Sequence, residues 1–143
     1  MNDSFDNYVS IVMQGDSVNE AFARVAVSAF VSALDPGLDE LTDIKTAVSE
    51  AVTNAIIHGY ENKAGEVRLN FSLKGKSVTI EVSDDGEGIE DVCMAREPLY
   101  TSKPEQERSG MGFTVMESFM DSVMVTSEKG KGTTVVMTKK LGR

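Results

Sequence analysis

With 143 residues and 41% hydrophobic content, the chain can bury a real core, is expected to form one domain and falls outside the disordered class. Its formal charge of −9, from 14 Lys plus Arg against 23 Asp plus Glu, opposes a duplex phosphate backbone and argues against direct nucleic-acid binding. No apolar run approaches the roughly 18 residues that span a bilayer, the start at Met1-Asn2-Asp3-Ser4 has no basic-then-apolar signal, and the lone Cys93 forbids an internal disulfide, so a cytoplasmic protein without membrane contact is expected.

Tyr8 to Gly15 reads as a strand, Val9, Ile11 and Met13 alternating with Ser10, Val12 and Gln14. Ser17 to Glu20 has the form of a capping box, a side-chain acceptor followed three residues on by a carboxylate. The helix it opens is expected to turn Phe22, Val25, Ala26, Ala29, Phe30 and Ala33 inward and to stop at Asp35-Pro36-Gly37. A second amphipathic pattern runs from near Leu38 to near Gly59, with Leu41, Ile44, Val48, Val52, Ala55 and Ile56 on its apolar stripe. Glu50, Asn54 and His58 follow a separate line, each drifting only about 40° from the last, so a carboxylate, an amide and an imidazole stack beside the apolar face. Such groups need partners other than bulk water. They form either a polar helix flank or the wall of a site, with the carboxylate as proton acceptor and the amide oxygen as ligand to a hard cation.

The period then changes to two. Val67, Leu69, Phe71 and Leu73, a turn at Lys74-Gly75-Lys76, and Val78, Ile80 and Val82 predict a β-hairpin. Asp84 continues the same inward face, where a carboxylate must be paired or neutralised. Residues 85–112 hold no long periodic element beyond a short helical possibility at Glu90–Ala95, and a stretch of that length in a compact domain is usually functional. A helix over Phe113–Met120 follows, then strands Val123–Glu128 and Thr133–Lys139 joined by Lys129-Gly130-Lys131-Gly132. The order β-α-α-β-β-loop-α-β-β implies a two-layer α/β (α+β) sandwich, with a mixed, mostly antiparallel sheet and helices on one face.

Asp84-Asp85-Gly86-Glu87-Gly88-Ile89 fails as a calcium loop, because glycines stand where carboxylates are needed, and as a dinucleotide fingerprint, because no third glycine or following helix has the right spacing. A plain turn explains the glycines but not the inward Asp84. A buried carboxylate accepting from an exocyclic amine, such as that of adenine, would explain both, since glycines let the backbone approach a flat ring. Ser109-Gly110-Met111-Gly112-Phe113 precedes a helix and offers backbone N–H groups to phosphate, although no Walker lysine follows. Nearby Lys103 and Arg108 could add charge to phosphates or to a partner, or be solvated loop charges. One His and one Cys cannot supply a zinc site, and neither suggests a nucleophile. Taken together the pieces describe an ATP pocket in which Asn54 would hold Mg²⁺.

This pattern resembles the GHKL (Bergerat-fold) ATPases and kinases. Glu50–Asn54 matches the N box, Asp84-x-Gly86-x-Gly88 the first glycine box and Gly110-x-Gly112 the second. Residues 50–60, 98–104 and 107–113 are similar to the anti-sigma-F family of serine kinases in endospore-forming bacteria, with the likeness running from about residue 8 to 140. Ser102 departs from the threonine usual there, which leaves the role of that hydroxyl open.

The resemblance implies a homodimer that binds a sporulation sigma factor and uses Mg-ATP to phosphorylate a serine of a small anti-anti-sigma protein. It implies Glu50 as general base, Asn54 as Mg²⁺ ligand, Asp84 as acceptor of the adenine amino group, and Gly110, Met111 and Gly112 at the phosphates. Gly86, Gly88 and Thr133 would line the nucleotide, under a lid over about residues 96–112 that brings Thr101, Lys103, Arg108 and Ser109 close. Arg24 and Arg108 would contact partners. The rivals are a stress-response anti-sigma kinase of the same fold, and a non-catalytic module that uses nucleotide only to bind proteins. A sensor histidine kinase would need a phosphoacceptor histidine on a preceding helix, and the only His lies inside the N box.

Overall fold

A computed structural model describes residues 5–59, 65–86, 112–128 and 130–142. Two-residue alternation builds the centre of the sheet. In β2 (Glu66–Lys74) and β3 (Ser77–Asp84) the pairs Leu69–Val82, Phe71–Ile80 and Leu73–Val78 lie opposite one another on the buried face. Gly75, at φ +59°, takes the left-handed position in the turn between them.

β1 (Asn7–Gln14) adds to β2, and β5 (Gly132–Lys140) adds to β3, with β4 (Ser122–Glu128) outermost, giving the order β1-β2-β3-β5-β4. Every one of these pairings is antiparallel, so the sheet is not mixed. β3 and β4 do run in the same direction, as a strand–helix–strand crossover requires, but β5 inserts between them and removes the one parallel contact.

On one face lie α1 (Asn19–Val31), a 3₁₀ turn at Ser32–Leu34, α2 (Leu38–Asn54) and α3 (Gly112–Phe119). α2 crosses the sheet with Ile44, Ala47, Val48, Ala51 and Val52 buried, and Phe30 of α1 stacks obliquely on Phe71, ring centroids 5.7 Å apart. Asp35, at φ 50°, ends the first helical segment where Asp35-Pro36-Gly37 was expected to stop it. No described helix is long and apolar enough to cross a membrane.

Two expectations for α1 fail. Its buried side chains are Ala23, Val27, Phe30 and Val31, while Phe22 is 54% and Val25 68% exposed and Ala29 and Ala33 also face outward. The segment is apolar at so many positions that two helical stripes overlap, and the one containing the small Ala23 packs inward. The capping box does not form either: α1 has no side-chain cap. Asp16 Oδ1 accepts from the Val18 N–H at 3.0 Å, and Glu20 turns forward to Arg24. At α2 the corresponding carboxylate does act, Glu40 accepting from the Gly37 N–H at 2.9 Å and from the Gly142 N–H at 3.0 Å.

Lys139 sits on the inner face of β5, where the alternation calls for an apolar residue, and is 7% exposed. Its ammonium donates to the Phe119 carbonyl at the C-terminus of α3 (2.7 Å) and lies 3.9 Å from the Asp43 carboxylate. A cation at a helix C-terminus meets both an unsatisfied carbonyl and the negative end of the dipole.

Candidate functional site

The α-helical hydrogen bonding of α2 ends at Asn54, and Ala55–Gly59 continues as a π-helical turn rather than as the last turn of a regular helix. Single π turns inside helices are rare and concentrate at functional sites. The wider turn takes Ala55 and Ile56 into the core and breaks the four-residue line after Glu50 and Asn54. The His58 side chain lies outside the described residues.

Glu50 and Asn54 meet the start of α3. A Cβ placed on Gly112 would stand 2.9 Å from Asn54 Nδ2, 3.2 Å from Asn54 Oδ1 and 3.4 Å from Glu50 Oε1. A side chain at residue 112 would touch Glu50 and would have to displace the Asn54 amide. Residues 58 positions apart in sequence thus converge, and the positive end of α3, with its unsatisfied N–H groups, is set beside a carboxylate and an amide.

Asp84 closes β3 on the inward side, as its register implies, and is 6% exposed. The Gly86 N–H donates to its Oδ1 at 2.9 Å, which uses one glycine of the Asp-x-Gly turn. Burial pushes the carboxyl pKa up from 3.8, opposed by the Gly86 and Thr133 backbone N–H groups and, more weakly, by Arg68. Thr133 lies directly opposite Asp84 on β5, and its hydroxyl is 2.8 Å from Ser127 Oγ on β4, so its backbone is the part that bears on Asp84. A carboxylate turned inward with the Gly86 N–H on one oxygen can still accept from an amine.

Arg68 carries no mark in the sequence that singles it out. From β2 its guanidinium makes two 2.9 Å bonds to Asp85, one to each carboxylate oxygen, and the side-chain bond holds the Asp85 carboxyl below the usual aspartate range. Adjacent aspartates are thereby divided, one buried and inward, the other outward and paired.

Arg24 lies on α1, ion-paired to Glu20 one turn earlier and 42% exposed, on the flank between the buried face and the outward Phe22 and Val25. Gly88, Thr101, Lys103, Arg108, Ser109, Gly110 and Met111, together with most of the expected lid, lie outside the described residues. Among the described residues no cluster of three or more His, Cys, Asp or Glu could hold a metal by itself. A cation here would take one or two protein oxygens and complete its shell from water and ligand, the habit of Mg²⁺.

The model of the histidine kinase-like ATPase domain matches residues 15–139. An anti-sigma F factor from Clostridium kluyveri is 64% identical over 135 residues, covering 94% of this chain and 95% of the relative. One from Clostridium acetobutylicum is 59% identical over 135 residues, 94% of each chain. A crystal structure of the RsbU and RsbW domains of a Mycobacterium tuberculosis protein superposes with a TM-score of 0.69 over 96% of this chain. This chain spans 32% of that one, and at 20% identity the likeness shows the fold alone. With the convergence of Glu50, Asn54 and Gly112 and the inward Asp84, these matches establish that the chain belongs to the histidine kinase-like ATPase family and, within it, to the anti-sigma F factors.

Proposed function

We propose that the chain is an anti-sigma kinase of the cytoplasm, acting as a homodimer. In this reading it holds a sporulation sigma factor and uses Mg-ATP to phosphorylate a serine of a small anti-anti-sigma protein. The observation that carries the reading is the seating of Gly112 on Glu50 and Asn54, because it joins a carboxylate, a hard oxygen donor and a helix N-terminus at one point.

Each group has a role its chemistry suits. Asp84 accepts from the adenine amino group while Gly86 and Thr133 hold it in place. The Asn54 side-chain oxygen fits a Mg²⁺ that keeps most of its waters, and the ion would neutralise phosphate charge in a chain of net charge −9. The N-terminus of α3 gives the phosphates N–H donors and the positive end of a dipole. Glu50 takes the proton from the attacking serine hydroxyl as its oxygen bonds to the γ-phosphorus and the bond to ADP breaks. Such transfer depends on positioning and charge more than on covalent help. Arg24 and Arg108 belong to the partner surfaces.

Glu50→Gln keeps the size of the side chain and removes the base. It should retain ATP and sigma-factor binding but slow phosphate transfer by about 10²–10⁴-fold, measured with labelled ATP and the purified small protein. Transfer at the normal rate would refute the base assignment.

A further inference from the structure

β5 opens at Gly132 with φ +98°, a conformation that L side chains rarely adopt. A Cβ there would stand 2.0 Å from the Asp84 carbonyl oxygen, 2.9 Å from the Asp84 carbonyl carbon and 2.8 Å from Asp85 Cα. All three are backbone atoms, so no side chain can swing aside. The hairpin that carries Gly132 is pinned from the far side, with Ser127 Oγ donating to the Gly132 carbonyl at 3.1 Å and the Lys131 N–H to the Glu128 carbonyl at 2.9 Å. One residue on, Thr133 lies directly opposite Asp84 in the β3–β5 ladder. Gly132 and Thr133 therefore locate the backbone of Asp84, and through it the carboxylate, from a strand distant in sequence.

We infer that Gly132 is a positioning residue for base selection: it lets β5 close against the end of β3 and so fixes where the Asp84 carboxylate meets a purine amine. The inference rests on the reading of Asp84 as the base acceptor. Hydrogen bonds weaken steeply outside a window of about 2.7–3.2 Å, so the displacement forced by a methyl group at residue 132 would remove the contact.

The turn supplies its own control. Gly130 also has positive φ, +84°, yet a Cβ there would meet nothing within 4 Å. Alanine at either position strains the backbone, but only at residue 132 does it reach Asp84.

The test compares Kd for ATP with Kd for purine riboside triphosphate, which lacks the 6-amino group, by titration calorimetry on the full chain. The wild type should prefer ATP, Gly132→Ala and Asp84→Asn should each reduce that preference by about tenfold or more, and Gly130→Ala should keep it. A folded Gly132→Ala with the wild-type ratio overturns the inference. Asp84→Asn with the wild-type ratio overturns the base-acceptor reading instead, and the inference with it. If Gly132→Ala shows no thermal transition, Ser127→Ala decides: it loosens the hairpin without adding a Cβ, so the ratio must fall, and an unchanged ratio overturns the inference.

Discussion

Burial disfavours the ionised form of Asp84, while N–H groups from Gly86 and Thr133 favour it, and burial is the larger effect. The folded state therefore holds that proton more tightly than the unfolded chain, whose aspartates titrate near 3.8. Below that value both states are protonated and folding carries no penalty from this group. As pH rises through the raised folded pKa, the native state takes on a buried charge and stability falls. Asp85 has the opposite sign: its depressed pKa adds stability above 3.8 that is lost on acidification, but the pair is exposed and screened, so the effect is small. Asp84→Asn should thus raise Tm at neutral pH by about 2–4 °C, on the order of 1 kcal/mol, and the gain should vanish near pH 3. Melting scans at the two pH values check this, and an equal gain at both would show that ionisation is not the cause. A functional carboxylate that weakens the empty protein fits the usual exchange of stability for activity.

At the scale of elements, α3 is held at both ends by parts of the chain far from it. Its first residue rests on α2 through Gly112, and its last carbonyl, that of Phe119, is capped by Lys139 from β5. Gly112→Ala separates packing from function. Alanine favours a helix over glycine by up to about 1 kcal/mol, so Tm should hold or rise. Yet the new methyl group would sit 2.9 Å from the Asn54 amide, and the displaced amide should weaken Mg-ATP binding by about tenfold or more. Normal affinity by calorimetry would remove Gly112 from the site. The apolar run of α2, the alternation of β2 and β3 and the inward Asp84 were legible because each has one period and one buried face. The α1 face was not, since nearly continuous apolar residues fit two stripes and only tertiary packing selects one. Lys139 and Arg68 were illegible for another reason: a charged residue reveals its partner only when the strands are in register. The α-to-π change at Ala55 leaves no mark in the hydrophobic pattern.

For the whole molecule, placing every described helix on one face leaves the other side of the sheet to solvent, polar along β2 and β3 but with Tyr8, Val12 and Met124 exposed on the outer strands. The cross-strand row Ser10–Asn70–Glu81 is bonded at 2.7 and 3.0 Å. That face explains part of the polarity and acidity of the chain without invoking a ligand. The outer side of α1 carries an apolar stripe of its own. Val18, Phe22 and Val25 are 72%, 54% and 68% exposed and follow one helical stripe, while Arg24 lies on the flank of the helix with its guanidinium drawn to Glu20. An exposed apolar stripe that carries an aromatic ring has the composition of an interface rather than of ordinary surface. This favours α1 as the sigma-factor face and gives Phe22 a part that the resemblance assigns only to Arg24. Phe22→Ser removes a ring that folding buries only in part, so stability should fall by no more than about 1 kcal/mol. Sigma-factor affinity should fall by about tenfold or more, or 1.4 kcal/mol, with phosphate-transfer chemistry at Glu50 untouched. Surface-bound sigma factor titrated with wild type and variant reads the difference. Equal affinities would place the sigma factor elsewhere and leave the α1 stripe to one of the other proposed partners, a second protomer or a small phosphoacceptor protein, which the same titration with that protein would separate.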